Sequence, residues 1–264
     1  MTNRRTLASA KGIWCTVSRS ACLVLALALS ACHAAFQVKN YPTPVALYQA
    51  GLVEYDKGEW RNAITALDQV TILLPPRDTL LVRAQFVLAK AYIKSKSYLL
   101  AASTYKRLFE DFPDDSLADD SLLGMADANA LAWRGPEYDS QHAVLALENY
   151  SLLQRLFPAS VLVKKAKDGE ARMNEGLARK ELNNGLFYVR RNMFDSALIP
   201  LRDAATLFPG TAASREAMIK MVEVFRLLKY LDDAGDVCKT LRSAYGTDST
   251  VVKTCAGIRA DTTR

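Results

Sequence analysis

Between residues 60 and 246 the chain repeats one arrangement of apolar positions five times. An aromatic or apolar residue stands three positions before an alanine in Trp60/Ala63, Tyr98/Ala101, Phe194/Ala197 and Leu231/Ala234, with Ala143/Ala146 as a degenerate fifth pair. Four positions after each of these alanines comes a larger side chain: Leu67, Tyr105, Tyr150, Leu201 and Cys238. Twelve positions after it comes Pro75, Pro113, Pro158, Pro209 or Gly246, preceded by Leu74, Phe112, Phe157, Phe208 or Tyr245. Offsets of three and four put side chains on one face of a helix. Alanine lets a neighbouring helix approach closely, and proline ends a helix because it lacks an N–H and clashes with the preceding turn. The pattern predicts five helices, each buried on one face and each ending at its proline or glycine.

A second helix precedes each of these. Gly51, Ala89, Gly185 and Val222 stand twelve positions before the alanine, and Glu54, Tyr92, Tyr188 and Phe225 stand nine before it. Glu54 departs from the aromatic pattern, and Tyr55 beside it is expected to take over part of that packing. Small residues on one helix facing alanine on the next resemble the tetratricopeptide repeat, a unit of about 34 residues. The expected fold is all-α, an α-solenoid of five tetratricopeptide-like helix-turn-helix repeats. The first helix stops lie 38, 45 and 51 residues apart, so the array is interrupted. Residues 133–138 (Trp-Arg-Gly-Pro-Glu-Tyr) read as an inserted loop. The charged stretch from Lys164 to Lys180 reads as a long helix leading into the fourth repeat, its charges forming a solvated face. Repeats one to three then span 44–158, the long helix and repeats four and five 159–246, and a polar tail 247–264.

Ahead of the repeats the pattern changes. Arg4, Arg5, Lys11 and Arg19 precede an uncharged apolar run from Ala21 to Leu29, with no acidic residue. The run suits a signal-peptide core and is too short to span a bilayer. It ends in Leu29-Ser30-Ala31-Cys32, which resembles the lipobox of bacterial lipoproteins. The expectation is cleavage of residues 1–31, lipid attached to Cys32, and a tether over 32–43, where Phe36 to Pro44 carries two prolines and no helical period. One acyl chain holds a protein on a membrane only marginally, so an amino-terminal acyl group beside the thiol-linked lipid matters.

Processing alters the charge and cysteine inventory. The formal charge is +6, but removing the signal leaves 30 basic and 28 acidic residues. That near balance gives no nucleic-acid footprint. Cys15 and Cys22 leave with the signal and Cys32 is the lipid site. Cys238 and Cys255 can pair in one disulfide or stay free thiols, since sequence gives no Cα distance. Neither His33 nor His142 has a Cys or His at metal-ligand spacing. No nucleophile elbow, phosphate loop or dinucleotide fingerprint occurs, and Asp114/Asp115 and Asp119/Asp120 suit a helix start. The expectation is a protein without catalysis, cofactor or metal.

Binding fits better. In a solenoid the first helices line the concave face. The first repeat would offer Tyr48, Leu52 and Tyr55 there, and the second Arg83, Phe86, Lys90, Ile93 and Lys94. Such a groove suits a peptide with apolar anchors and a terminal carboxylate. The alternative is that the aromatics pack between repeats and the lysines are merely solvated.

Several motifs together resemble the BamD (competence lipoprotein, ComL) family. They are the lipobox, the run Gly58-Glu59-Trp60-Arg61-Asn62-Ala63-Ile64, the segment Asp139-Ser140-Gln141-His142-Ala143 leading to Phe157-Pro158, and Phe208-Pro209-Gly210-Thr211. The loop before Asp139 looks shorter than in proteobacterial members. The resemblance implies an outer-membrane lipoprotein on the periplasmic side that helps insert β-barrel proteins. It implies C-terminal repeats docked on a POTRA domain of the barrel subunit BamA, further assembly-machinery lipoproteins as partners, and N-terminal repeats that receive the C-terminal signals of unfolded β-barrel proteins. His33 after the lipid cysteine, in place of aspartate, fits the outer membrane. Another periplasmic repeat lipoprotein, coordinating envelope or peptidoglycan processes, is the alternative.

Overall fold

The computed structural model describes residues 36–258, so Cys32 and the apolar run before it lie outside the described residues. The chain divides at Asn40/Tyr41. In the described part of the first unit, Val38–Asn40 forms a 3-10 turn, local order within the span expected to be a tether.

The second unit contains helices and, among the described residues, no strands. Five pairs follow one another: α1 (Pro44–Asp56) with α2 (Trp60–Leu73), α3 (Thr79–Lys94) with α4 (Tyr98–Asp111), α5 (Ala118–Ala132) with α6 (Gln141–Leu156), α7 (Val163–Val189) with α8 (Phe194–Leu207), and α9 (Ala212–Leu228) with α10 (Leu231–Tyr245). A short α11 (Ser249–Thr254) closes the described chain. Packing runs between successive helices, the arrangement of an α-solenoid.

The helix ends fall where the sequence places them. α2, α4, α6 and α8 each stop two residues before a proline, because the residue preceding proline avoids the helical region. Leu74 there is extended, with φ −83° and ψ 143°. The starts follow two rules. α1, α3 and α9 are capped by the side chains of Thr43, Asp78 and Thr211, whereas the second helix of each pair has no side-chain cap. The tight turn before it uses a left-handed residue, Gly58, Lys96, Asn192 or Lys229, always five positions before the repeat alanine. The third pair lacks this residue and carries the inserted loop.

The repeat alanines and the larger residues four positions on are all buried. Glycines accept those larger residues. A Cβ on Gly51 would lie 3.0 Å from Leu67, and one on Gly185 2.5 Å from Leu201, both within one helix pair. The longer tyrosines reach the following helix. Tyr105 lies over Gly124 of α5, where a Cβ would come within 2.5 Å of the ring, and Tyr150 lies over Gly169 of α7.

Beyond the first repeat, where Leu47, Ala63, Leu67 and Val70 are buried, one core cluster is drawn from residues 89–177 and another from 178–255. The border falls inside the 27-residue α7, which runs through both. Lys164, Lys167, Asp168 and Arg172 are exposed, as the solvated-face reading expects, while other charges of α7 also reach neighbouring elements. Lys165 bonds Asp127 of α5 at 2.8 Å, and Glu175 accepts from the Ala212 amide of α9 at 2.7 Å. Arg179 pairs with Glu216 of α9 at 2.6 Å. Lys180 donates to the Tyr138 carbonyl at 2.6 Å, and Asn183 to Glu137 at 3.0 Å. With Trp133 seated on Gly176, these bonds hold the inserted loop against α7.

The segment expected to be a polar tail is folded through Ile258. Asp248 caps α11, Val251 and Cys255 are buried, and Cys255 is disulfide-bonded to Cys238 with the Cα atoms 5.6 Å apart. Arg242 donates to the carbonyls of Cys255 and Ile258 at 2.6 and 3.0 Å.

Candidate peptide-binding groove

Lys90, Ile93 and Lys94 follow each other at helical spacing of three and four on α3, so one face of that helix carries two ammonium groups beside an apolar side chain. Gly124, Asp127 and Leu131 do the same on α5. These two faces, with Tyr55 of α1 and Tyr105 of α4, enclose a pocket of about 210 Å³. Gly124 serves twice, because the absence of a side chain both admits the Tyr105 ring and opens the pocket.

The aromatic rings are held by one another. Tyr55 meets Trp60 edge-on at 5.1 Å and Phe86 meets Tyr105 edge-on at 5.8 Å. The Lys90 ammonium lies 5.7 Å from the centroids of both Tyr55 and Phe86, within cation–π range. Burial pushes the Tyr55 hydroxyl above its ordinary range and the Tyr105 hydroxyl well above it, so both stay neutral at physiological pH. Asp127 is the pocket's carboxylate. It accepts from the Tyr150 hydroxyl at 2.6 Å and pairs with Lys165 at 2.8 Å. Burial, then the bond to Asp127, raises the Tyr150 hydroxyl well above its ordinary range. Lys165 pairs with Asp127, and Asp120 lies in the field of both Lys165 and Lys90, so three ammonium groups face two carboxylates once Lys94 is included and the rim keeps a positive excess. An apolar floor under two ammonium groups suits an apolar side chain next to a negative group.

Of the eight residues the sequence placed on this face, Tyr55, Lys90, Ile93 and Lys94 line the pocket. Phe86 is half-buried behind it against Tyr105. Tyr48 is buried on α1, its hydroxyl pushed up by burial and opposed by Arg83. Leu52 is half-buried and Arg83 exposed, and neither lines the pocket. Tyr105, Gly124, Asp127 and Leu131 were missed. The inserted loop breaks the offset from the third alanine back to its first helix, so α5 could not be aligned, and only Gly124 inside an apolar helical pattern signalled a close approach.

A larger concavity, about 910 Å³, lies against α7, α8 and the inserted loop, with Glu181, Asn183, Phe187, Ile199 and Asp203 among its walls. Pro200 also lines it, within α8. Lacking an N–H, it leaves the carbonyl of Ser196 without its helical partner. Among the described residues, no cluster of three or more His, Cys, Asp or Glu could hold a metal ion, and no helix is long and apolar enough to cross a membrane.

The sequence pattern of one family, YfiO, described as outer membrane lipoprotein, matches residues 41–241. The outer membrane protein assembly factor BamD of Pasteurella multocida (strain Pm70) is 25% identical over 237 residues, covering 84% of this chain and 88% of its own. Among solved structures, the P58(IPK) TPR domain is 13% identical with a TM-score of 0.44 over 80% of this chain, and the chain spans 54% of it. A thermophilic TPR protein of Thermus thermophilus is 18% identical with a TM-score of 0.36, covering 81% of this chain and 97% of its own.

Proposed function

From the premise that the chain belongs to the YfiO family of outer membrane lipoproteins, we propose that it is a non-catalytic scaffold of the machinery that inserts β-barrel proteins into the outer membrane. Lipid on Cys32 anchors it on the periplasmic face. The pocket between α1, α3 and α5 receives the C-terminal signal of an unfolded barrel protein. The C-terminal repeats dock a POTRA domain of the barrel subunit BamA, with the concavity at α7 and α8 as the contact surface, and further lipoproteins of the machinery complete the assembly. The relative named as an assembly factor supports the role.

The observation that carries the reading is the pocket itself. Lys90 and Lys94 flank an apolar floor while the Asp127 charge is taken up by Lys165. A chain terminus with an apolar last residue brings the carboxylate and the side chain that such a pocket favours.

Replacing Lys90 and Lys94 together by Glu reverses the rim charge at two exposed side chains. Binding of a peptide ending in phenylalanine with a free carboxylate is expected to weaken tenfold or more, as for two lost charge contacts (about 1.4 kcal/mol or more). Amidating the peptide terminus should reproduce much of that loss. Unchanged affinity in a fluorescence titration rejects the pocket as the receiving site. A gentle detergent pull-down that brings down no POTRA-containing barrel protein rejects the assembly role. Mass spectrometry of the mature N-terminus from the same sample tests the lipid on Cys32.

A further inference from the structure

Beside the pocket lies a second hollow of about 420 Å³, bounded by the turn and first residues of α4, the end of α5 and the start of α6. Two chain segments serve both spaces. Lys94 lines the pocket and Lys96 lines the hollow; Leu131 lines the pocket and its neighbour Ala132 lines the hollow. The two spaces therefore lie close to each other at the C-terminal ends of α3 and α5.

Part of the hollow's apolar surface stands at positions that the repeat does not need to be apolar. Leu99 and Leu100 line it and are 56% and 52% exposed. The same two positions relative to the repeat alanine hold Arg61 and Asn62 in the first repeat, Asp195 and Ser196 in the fourth, and Asp232 and Asp233 in the fifth. The repeat fold accepts polar residues there. Exposed apolar pairs stand at these positions only in the two repeats that bound the hollow, Leu99 with Leu100 in the second and Val144 with Leu145 in the third. His142 also lines the hollow. No acidic residue lines the hollow, and Lys96 extends the positive rim begun by Lys90 and Lys94.

We infer that the hollow is a second anchor site for the same polypeptide held in the pocket. A chain whose terminal side chain enters the pocket continues around the ends of α3 and α5 and rests an upstream apolar side chain on Leu99 and Leu100. The inference rests on the peptide-binding reading of the pocket. The occupant follows from the closeness of the two spaces along α3 and α5 and from the lysines that line both. The hollow sets specificity, because it separates chains with one apolar anchor from chains with two.

The test uses two synthetic ten-residue peptides with free carboxyl termini, both ending in phenylalanine. One carries leucine two and four positions upstream, the other serine at both. Fluorescence anisotropy with the whole mature protein is expected to show the leucine peptide binding about tenfold more tightly or better, the gain of burying one leucine-sized side chain. Leu99→Asn with Leu100→Asn should bring the leucine peptide to the affinity of the serine peptide and leave the serine peptide unchanged. A tenfold preference that survives the leucine double variant overturns the assignment. So does an equal loss for both peptides in that variant, unless its thermal unfolding has shifted, in which case Leu100→Asn alone decides by the same criterion. If neither peptide binds the wild-type protein, the pocket reading falls and this one with it.

Discussion

A glycine inside a helix gives up about 1 kcal/mol of helix propensity relative to alanine, so Gly51, Gly124, Gly169 and Gly185 need a compensating contact. Each faces the large side chain four positions beyond a repeat alanine. Where that side chain is leucine, the glycine is in the same helix pair; where it is tyrosine, the extra length carries the ring to the next helix. Gly124→Ala would set a methyl carbon 2.5 Å from the Tyr105 ring. The expected result is a loss of about 1–3 kcal/mol from overpacking, exceeding the gain in propensity, read by chemical denaturation; a variant as stable as wild type would show that the ring moves freely. The same substitution narrows the pocket, so peptide affinity should fall with stability. A different constraint acts at Lys96, Asn192 and Lys229, which adopt positive φ where the first repeat has Gly58. The turn demands that conformation from whichever residue occupies it. Nothing in the lysine side chain announces it, so the turn geometry was not legible at those positions.

Elements of this chain differ in how their ends are set. The second helix of each pair has its end written locally, in a proline or glycine, and for that reason its boundary follows from the sequence. α9 depends in part on another helix. Besides its own Thr211 cap, its first amides donate to Glu175 of α7 at 2.7 and 3.3 Å. The carboxylate also lies favourably toward the positive end of the helix dipole. Glu175→Ala should cost about 1 kcal/mol, the worth of a helix cap, and it should speed amide exchange at residues 212–216 while α3 to α6 keep their protection. Exchange unchanged at 212–216 would mean that Thr211 alone caps the helix. The charges by which α7 reaches α5, the inserted loop and α9 are not told apart from a solvated face in the sequence, because those partners lie 37 to 44 residues away. Only the packed arrangement of α5, α7 and α9 brings them together.

On the scale of the whole chain, neighbours contact neighbours, and the ends of the stack need covering. At the C-terminal end, α11 supplies the cover, tied down by the Cys238–Cys255 bond across 17 residues and by Arg215 on Asp248 at 2.6 Å. Replacing both cysteines by alanine should lower the stability of the last repeat by about 2–4 kcal/mol. Hydrogen exchange should localise the loss to α9 to α11 and leave the N-terminal pocket protected; loss spread evenly along the stack would show that it unfolds as one unit. The sequence by itself determined the all-α repeat, the helix stops, the interruption in the third unit and the lysine face of α3, because each rests on spacing within one helix or one turn. Tertiary structure alone decided that α5 completes the pocket, that Lys165 offsets Asp127, that α7 bolts the inserted loop and α9 together, and that residues 248–258 cap the stack. Those features depend on distances between residues far apart in the chain, and an inserted loop of unfixed path removes the register that would have predicted them.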